Sequence, residues 1–284
     1  MSAGVGQRWG TAGARRRVRL ALRSRLRRLT RTPFDARCGR AVLVHGAHHK
    51  VATVWFGRVL SSVAGHYGLR FTEVPDSTDP SSAGAAPPHD VDVVLYARAN
   101  DFTPADLAGR RYRGSHLVRD PRDVVVSGYY YHLRTDEPWA HEPSARYGGL
   151  SYQRYLRSVD EHRGLMAEIE RSARSTLADM GAWPYGERGF LEMRYEDVVR
   201  DEEKAFTELF RFYGLDDAAL RHALGIVEQF RRPRGQAAGA ADPHVRSGEP
   251  GEWRRHLGAE HLAALASLTG DLVGRLGYGD GAEG

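Results

Sequence analysis

Residues 41–67, A-V-L-V-H-G-A-H-H-K-V-A-T-V-W-F-G-R-V-L-S-S-V-A-G-H-Y, constrain this chain more than any other stretch. Residues 41–44 read as a short buried strand that breaks at Gly46 into a loop carrying Lys50. Apolar residues then recur at helical spacing: Phe56, Val59, Val63 and Tyr67. A strand, a small-residue loop with one lysine and a helix together cradle a phosphate-like anion. The loop amides and the unpaired first-turn N–H groups of the helix point at the ligand, and the lysine adds a point charge. Many α/β proteins share that unit, so it specifies a function only when a second anion site accompanies it.

The second site is residues 115–132, S-H-L-V-R-D-P-R-D-V-V-V-S-G-Y-Y-Y-H. The valines and tyrosines alone suit either a strand or a helix. Asp120 followed by Pro121 is an N-cap and first-turn pair, which decides for a helix entered directly after Arg119. Arg119 then stands at the carboxyl end of a strand, where ligands collect in open α/β sheets. Ser127 follows within the first turns of the helix.

The remaining elements alternate. Residues 70–74 and 91–96 read as strands, separated by a Pro/Ser/Ala loop at 75–90. Thr103, Pro104 and Asp106 look like a helix start. Residues 134–150 form a polar loop whose Trp139 and Tyr147 are expected to line a substrate entrance. Helical spacing covers 152–180, a strand 190–195, and helices 201–213 and 216–230. A last helix is expected at about 258–276, with Leu265, Leu268, Leu272 and Leu276 on one face. This order predicts one α/β domain, a three-layer sandwich with a mainly parallel central sheet.

Charge separates the body from an arm. Residues 1–40 hold twelve arginines and one aspartate, so the chain's net charge of +5 divides into +11 on the arm and −6 on the rest. Residues 1–35 are expected to be a basic, loosely helical arm, and 36–284 the folded domain. The arm suits contact with an anionic membrane surface or nucleic acid, or simply a solvated leader. No nucleic-acid partner is expected for the protein. One cysteine, Cys38, allows no intrachain disulfide, and no apolar run approaches the roughly 20 residues of a membrane span. No secretory h-region follows the arginines, so the expected location is cytoplasmic, with the arm as the possible membrane contact.

Four stretches in order, from about residue 41 to 257, resemble the sulfotransferases that use 3′-phosphoadenosine 5′-phosphosulfate. K-V-A-T-V-W follows the family's K-x-G-T-T-W, with Lys50, Thr53 and Trp55 matching and Val51, Ala52 and Val54 between them. Residues 119–131 follow R-D-P-R-D-V-x-V-S-x-Y-Y-H with one extra tyrosine before His132. Tyr195 resembles a tyrosine beside the adenine, and Phe230 an aromatic covering it. R-S-G-E-P-G-E-W echoes R-K-G-x-x-G-D-W, implying that Arg246, Ser247 and Gly248 close over the 3′-phosphate.

The resemblance implies a P-loop-like sulfotransferase fold, no metal, and sulfuryl transfer to a hydroxyl or amine of a small molecule, sugar or lipid. Lys50 would offset charge on the leaving group, Trp55 would lie against adenine, and Arg119 with Ser127 would hold the 3′-phosphate. The alternatives are a nucleotide-binding protein without turnover and a P-loop kinase. The kinase needs a hydroxyl after the lysine for Mg²⁺, and Val51 has none.

Ala52 stands where the family has glycine, which is tolerable with a negative φ. Val54 lacks a hydroxyl that usually touches the phosphate. No histidine occupies the family's usual base position, because that region reads Y-A-R-A-N-D. The candidate bases are Glu73 and Asp101, with His48 and His49 beside the loop as a third choice. Glu73 and Asp101 also read as ordinary solvated charges, His116 and Trp253 as packed core, His132 as a brace and Glu196 with Asp197 as a helix cap.

Overall fold

The computed structural model describes residues 41–76, 87–231 and 248–279. The apolar run opens as β1 (Val42–Gly46), which passes through a six-residue loop into α1 (Thr53–Tyr67). β2 (Phe71–Val74), β3 (Val93–Tyr96) and β4 (Tyr112–Val118) follow. α2 (Pro121–His132) leaves β4 at the Asp-Pro pair. Helices α3 (Tyr152–Ser158), α4 (Glu161–Ala173) and α5 (Thr176–Ala182) lead to β5 (Phe190–Arg194). The chain continues through α6 (Tyr195–Arg200), α7 (Glu202–Tyr213), α8 (Asp217–Gln229), α9 (Ala259–Thr269) and α10 (Leu272–Arg275).

The five strands form one parallel sheet in the order β2-β3-β1-β4-β5. Successive strand residues face opposite sides, and the core divides accordingly. Leu43, Leu95, Leu117 and Met193 pack with Phe56, Val59, Phe206 and Phe210 on one side. Val42, Val44, Val94 and Tyr96 pack with Leu107, Trp183 and Phe190 on the other. This is the three-layer α/β architecture expected. Parallel register aligns Val74, Tyr96, Gly46 and His116 at one level, so every strand delivers its carboxyl end to the same edge.

Gly46 closes β1 instead of breaking it. A Cβ there would stand 3.0 Å from the Ala99 Cβ, and the Ala99 N–H donates to the Ala47 carbonyl at 2.7 Å. Only a glycine lets the loop after β3 lie this close to β1.

Two expectations change. The helix start at Thr103 becomes a capped 3-10 turn, Pro104–Leu107. The last helix splits at Gly270, whose φ is +61°, and Leu268 is 46% exposed while Leu265, Leu272 and Leu276 are buried. The 134–150 loop turns its aromatics inward. Trp139 stacks on Tyr152 at 5.8 Å and carries the Arg171 guanidinium at 4.1 Å, while Tyr147 stacks on Tyr155. Burial of ring area against α3 and α4 outweighs display toward a ligand. The arm at 1–35 lies outside the described residues, as does most of the 75–90 loop.

Candidate active site

The loop after β1 is shaped by two residues in left-handed backbone, Lys50 at φ 64° and Ala52 at φ 56°. The negative φ expected for Ala52 is therefore corrected. The His48 carbonyl draws the turn together, accepting the Val51 N–H and the Thr53 hydroxyl, each at 3.1 Å. Val51 is fully buried and anchors the loop in the core, whereas Val54 is 52% exposed on the first turn of α1. An L-residue held left-handed costs roughly 1–2 kcal/mol. Ala52→Gly should therefore raise stability by up to about 1 kcal/mol after glycine's own entropy is counted, or about 2–4 °C in Tm. Unchanged thermal unfolding would show that the turn carries no such strain.

α1 starts differently from its neighbours. α2, α3, α4, α7 and α8 are capped by Asp120, Ser151, Asp160, Asp201 and Asp216, each accepting a first-turn N–H. α1 has no side-chain cap and no acid in its first turn. The positive end of its helix dipole therefore meets no side-chain cap, which suits an anion. Above them the Lys50 ammonium lies 3.6 Å from the centre of the Tyr131 ring on α2. Trp55 is only 7% exposed, edge-on to Phe56 and Phe206, so its ring chiefly fastens α1 to the core.

Arg119 stands where the Asp-Pro pair put it, directly after β4, and is 5% exposed. Its Nη1 donates to the Lys50 carbonyl at 3.2 Å, and its guanidinium lies over the Tyr195 ring at 4.5 Å. The Tyr195 hydroxyl donates to the Gly248 carbonyl at 2.6 Å. Lys50, Arg119, Tyr195 and Gly248 thus form one connected series across four distant stretches. Burial works against the guanidinium's charge, yet Tyr195, Asp123, Glu196 and Glu252 together hold its pKa above the usual value. Its Nε is buried and has no acceptor.

The surrounding contacts hold the series in place. Asp123 accepts the N–H groups of Gly251 and Trp253 at 2.7 and 2.8 Å, which pins residues 248–253 to the start of α2. Asp120 caps α2 and takes the Arg122 guanidinium. Glu196 accepts the Asp120 N–H and the Tyr278 hydroxyl, so it ties α6 to the start of α2 and to the segment after α10 and is not a side-chain cap of α6. Trp253 is buried, as expected. Ser127 is half-exposed on α2, and Phe230 caps α8 half-buried against the main core. No hydrogen bond or ring contact among the described residues ties either to Arg119. Arg246 and Ser247 lie outside the described residues.

The four candidate bases fare differently. Glu73 is exposed near the carboxyl end of β2, where partial desolvation lifts its pKa. Asp101 receives Arg98 Nη1 at 2.7 Å, while Asp179 takes the other edge of the same guanidinium. His48 and His49 flank the loop turn, and both have their pKa lowered well below the ordinary value. For His48 the causes are burial, then His116 and Arg98; for His49 they are burial, then Lys50, His132 and Arg171.

Two histidine–carboxylate pairs stand behind them that no sequence pattern announces. His116 Nδ1 meets Glu192 at 2.6 Å, and its Nε2 meets His48 Nε2 at 2.8 Å. His132 Nδ1 meets Glu168 at 2.8 Å, and Glu168 also accepts Tyr152 and Ser172. That carboxylate needs Gly128, since a Cβ there would come within 2.5 Å of Glu168 Oε1. His132 braces α2 as expected. His116 is packed, stacked at 4.1 Å on Trp183, but it is also bonded at both ring nitrogens.

Among the described residues no group of three or more His, Cys, Asp or Glu side chains is placed to hold a metal ion, and no helix is long and apolar enough to cross a membrane.

Comparison with known proteins follows this geometry. The sulfotransferase domain model matches residues 112–277, more than half of the chain. Mouse sulfotransferase SULT7A1 complexed with PAP is similar in structure at a TM-score of 0.55 and 15% identity, over 82% of this chain and 84% of that one. Retinol dehydratase in a complex with retinol and PAP aligns at a TM-score of 0.43 and 17% identity, over 82% and 81% of the two chains. No curated protein matches. The family match begins at β4, after the lysine loop, and the likeness to the mouse protein is one of fold.

Proposed function

The chain belongs to the sulfotransferase domain family, and from that premise we propose that it transfers a sulfuryl group from 3′-phosphoadenosine 5′-phosphosulfate to the hydroxyl or amine of a small molecule, sugar or lipid. One observation carries the reading. Arg119 is a buried, charged guanidinium with an unspent Nε–H, bonded through Nη1 to the carbonyl of the one lysine in the opposite loop. A buried donor without an acceptor costs about 1–3 kcal/mol, which a phosphate dianion accepted by the planar fork would recover.

A donor with anionic groups at both ends fits two sites joined in this way, and when bound it supplies the activated sulfuryl group. The chain's part is positioning and charge stabilisation. The uncapped first turn of α1, with residues 50–55, would hold the 5′ end. Arg119, Ser127 and Gly248 would hold the 3′-phosphate, with Arg246 and Ser247 as further members from outside the described residues. Tyr195, Trp55 and Phe230 would border the adenine. The fully buried Val51 has no hydroxyl to offer Mg²⁺, which speaks against the kinase reading.

The experiment is release of 3′-phosphoadenosine 5′-phosphate from the donor across a panel of hydroxyl and amine acceptors, with calorimetric binding of that nucleotide in parallel. Binding without turnover on any acceptor would identify a nucleotide-binding protein instead. Lys50→Ala should lower kcat on the order of 100-fold, the effect of removing one preorganised donor from a developing charge. Near-normal turnover would sink the role given to the loop. The proposed setting is cytoplasmic, with the arginine-rich arm as the part that would meet a membrane.

A further inference from the structure

The pair of histidines at the carboxyl edge of the sheet has only one consistent arrangement of protons. Glu192 is an acceptor at both oxygens, taking the Trp183 indole N–H at 2.9 Å on Oε1 and facing His116 Nδ1 at 2.6 Å on Oε2. His116 therefore carries its proton on Nδ1, which leaves Nε2 as a lone pair. His48 Nε2 lies 2.8 Å from that lone pair and must donate to it. A neutral His48 with its proton on Nε2 has its remaining lone pair on Nδ1. That atom is buried and has no partner. It belongs to the residue two positions before Lys50 whose carbonyl draws the loop together.

Resting on the proposed function, we infer that His48 is the general base for the acceptor, with His116 and Glu192 as the positioning residues that orient it and support its charge. The acceptor O–H bond breaks toward His48 Nδ1, and the acceptor oxygen forms its bond to sulfur. The bond from sulfur to the bridging oxygen breaks, its electron pair leaving on 3′-phosphoadenosine 5′-phosphate. The proton need not stay on His48. The Nε2–H can pass to His116 and the Nδ1–H of His116 to Glu192, whose side chain is 30% exposed and open to water. His48 itself is 1% exposed, so the acceptor reaches Nδ1 only as residues 47–52 yield around the donor. Catalytic hydrogen bonds commonly tighten only in the loaded site.

The rival bases lack this arrangement. Asp101 is held by Arg98. Glu73 stands alone on the edge strand β2. His49 stacks on His132 at 5.5 Å without a hydrogen bond to it, so no carboxylate is linked to its ring as Glu192 is to that of His48 through His116. The charged and titratable groups around His48 are Arg98 from the loop after β3, His116 from β4 and Glu192 from β5.

Two measurements on the full chain test this. ¹⁵N NMR of the donor-free protein should show His48 protonated on Nε2 and His116 on Nδ1. A proton on His48 Nδ1 removes the lone pair and overturns the inference, whether or not an acceptor has been found. With a productive acceptor, His48→Gln should lower kcat by about 100-fold or more while nucleotide binding stays within a few-fold. Glu192→Gln should lower kcat about 10-fold and move the acid limb of the kcat profile to lower pH, because the imidazolium loses its support. Full turnover in His48→Gln, or loss in His49→Gln alone, would overturn the assignment. Failure of the wild-type chain to bind the nucleotide would instead overturn the proposed function, leaving the NMR result to decide the relay.

Discussion

Lowering the pH from 7 to 5 should cost this protein a substantial part of its folding stability. His45, His48 and His49 all have their pKa depressed chiefly by burial, His45 to about 3, with neighbouring cationic or imidazole groups adding to the effect. They stay neutral in the folded chain at pH values where an unfolded histidine, titrating near 6.5, is protonated. The unfolded state then binds more protons, so stability is fully present above about pH 6.5 and falls as the pH drops below it. A group that stays neutral in the folded chain contributes about 1.4 kcal/mol per pH unit below 6.5, so His45 alone gives about 2 kcal/mol by pH 5, and His48 and His49 add in the same direction. That compares with a total of about 5–15 kcal/mol for an ordinary domain.

Other buried groups act in both directions. His116 is shifted in the same direction by burial, partly offset by Glu192. Glu168 sits below the usual carboxylate range, because His132, Arg171 and Tyr152 more than offset its burial. Its contribution is lost only as the pH falls below about 4.5. Asp123 and Glu196 are raised by burial, so they act in the opposite sense, in a window that opens upward from their ordinary values. Urea unfolding at half-unit steps from pH 8 to 5 should be flat to about 6.5 and then steep. A profile flat throughout would mean that the buried rings take up their protons without unfolding.

Arg119→Ala should weaken binding of 3′-phosphoadenosine 5′-phosphate by roughly 100-fold or more. Removing one partner of a buried, hydrogen-bonded charge pair costs about 2–5 kcal/mol. The variant also loses the Nη1 bond to the Lys50 carbonyl and leaves Asp123, Glu196 and Glu252 without their shared cation. Arg119→Lys should recover only part of the loss, since an ammonium can neither reach the Lys50 carbonyl and a phosphate in one plane nor lie flat over Tyr195. Calorimetric titration with the nucleotide measures both variants. Affinity within a few-fold of the parent would remove Arg119 from the binding site.

Much of this site is legible before any coordinates. The Asp120-Pro121 pair ended β4 and began α2, because an Asx cap and a proline at the first helical position are local chemistry. Arg119 was thereby placed at a strand end. The spacing of Phe56, Val59 and Val63 marked the buried face of α1 for the same reason. The left-handed Ala52 was misread, since the rule for a glycine position says only what is cheap. Here the fully buried Val51 and the bonds to the His48 carbonyl offset the strain. Composition does not tell which partner a ring finds: Trp139 and Tyr147 of the 134–150 loop are half-buried against Tyr152 and Tyr155.

The sequence by itself determined the lysine loop, the arginine at the strand end, and a parallel sheet to carry them, since each depends on contacts within a few residues. Only the tertiary structure decided that Lys50 and Arg119 meet, and that His48, His116 and Glu192 form a line. Lys50 and Arg119 are 69 residues apart, and the two bonds of the histidine line span 68 and 76. Those contacts follow from β1, β4 and β5 lying side by side in one register. Strand order is set by burial over the whole sheet, and no local spacing of residues encodes it.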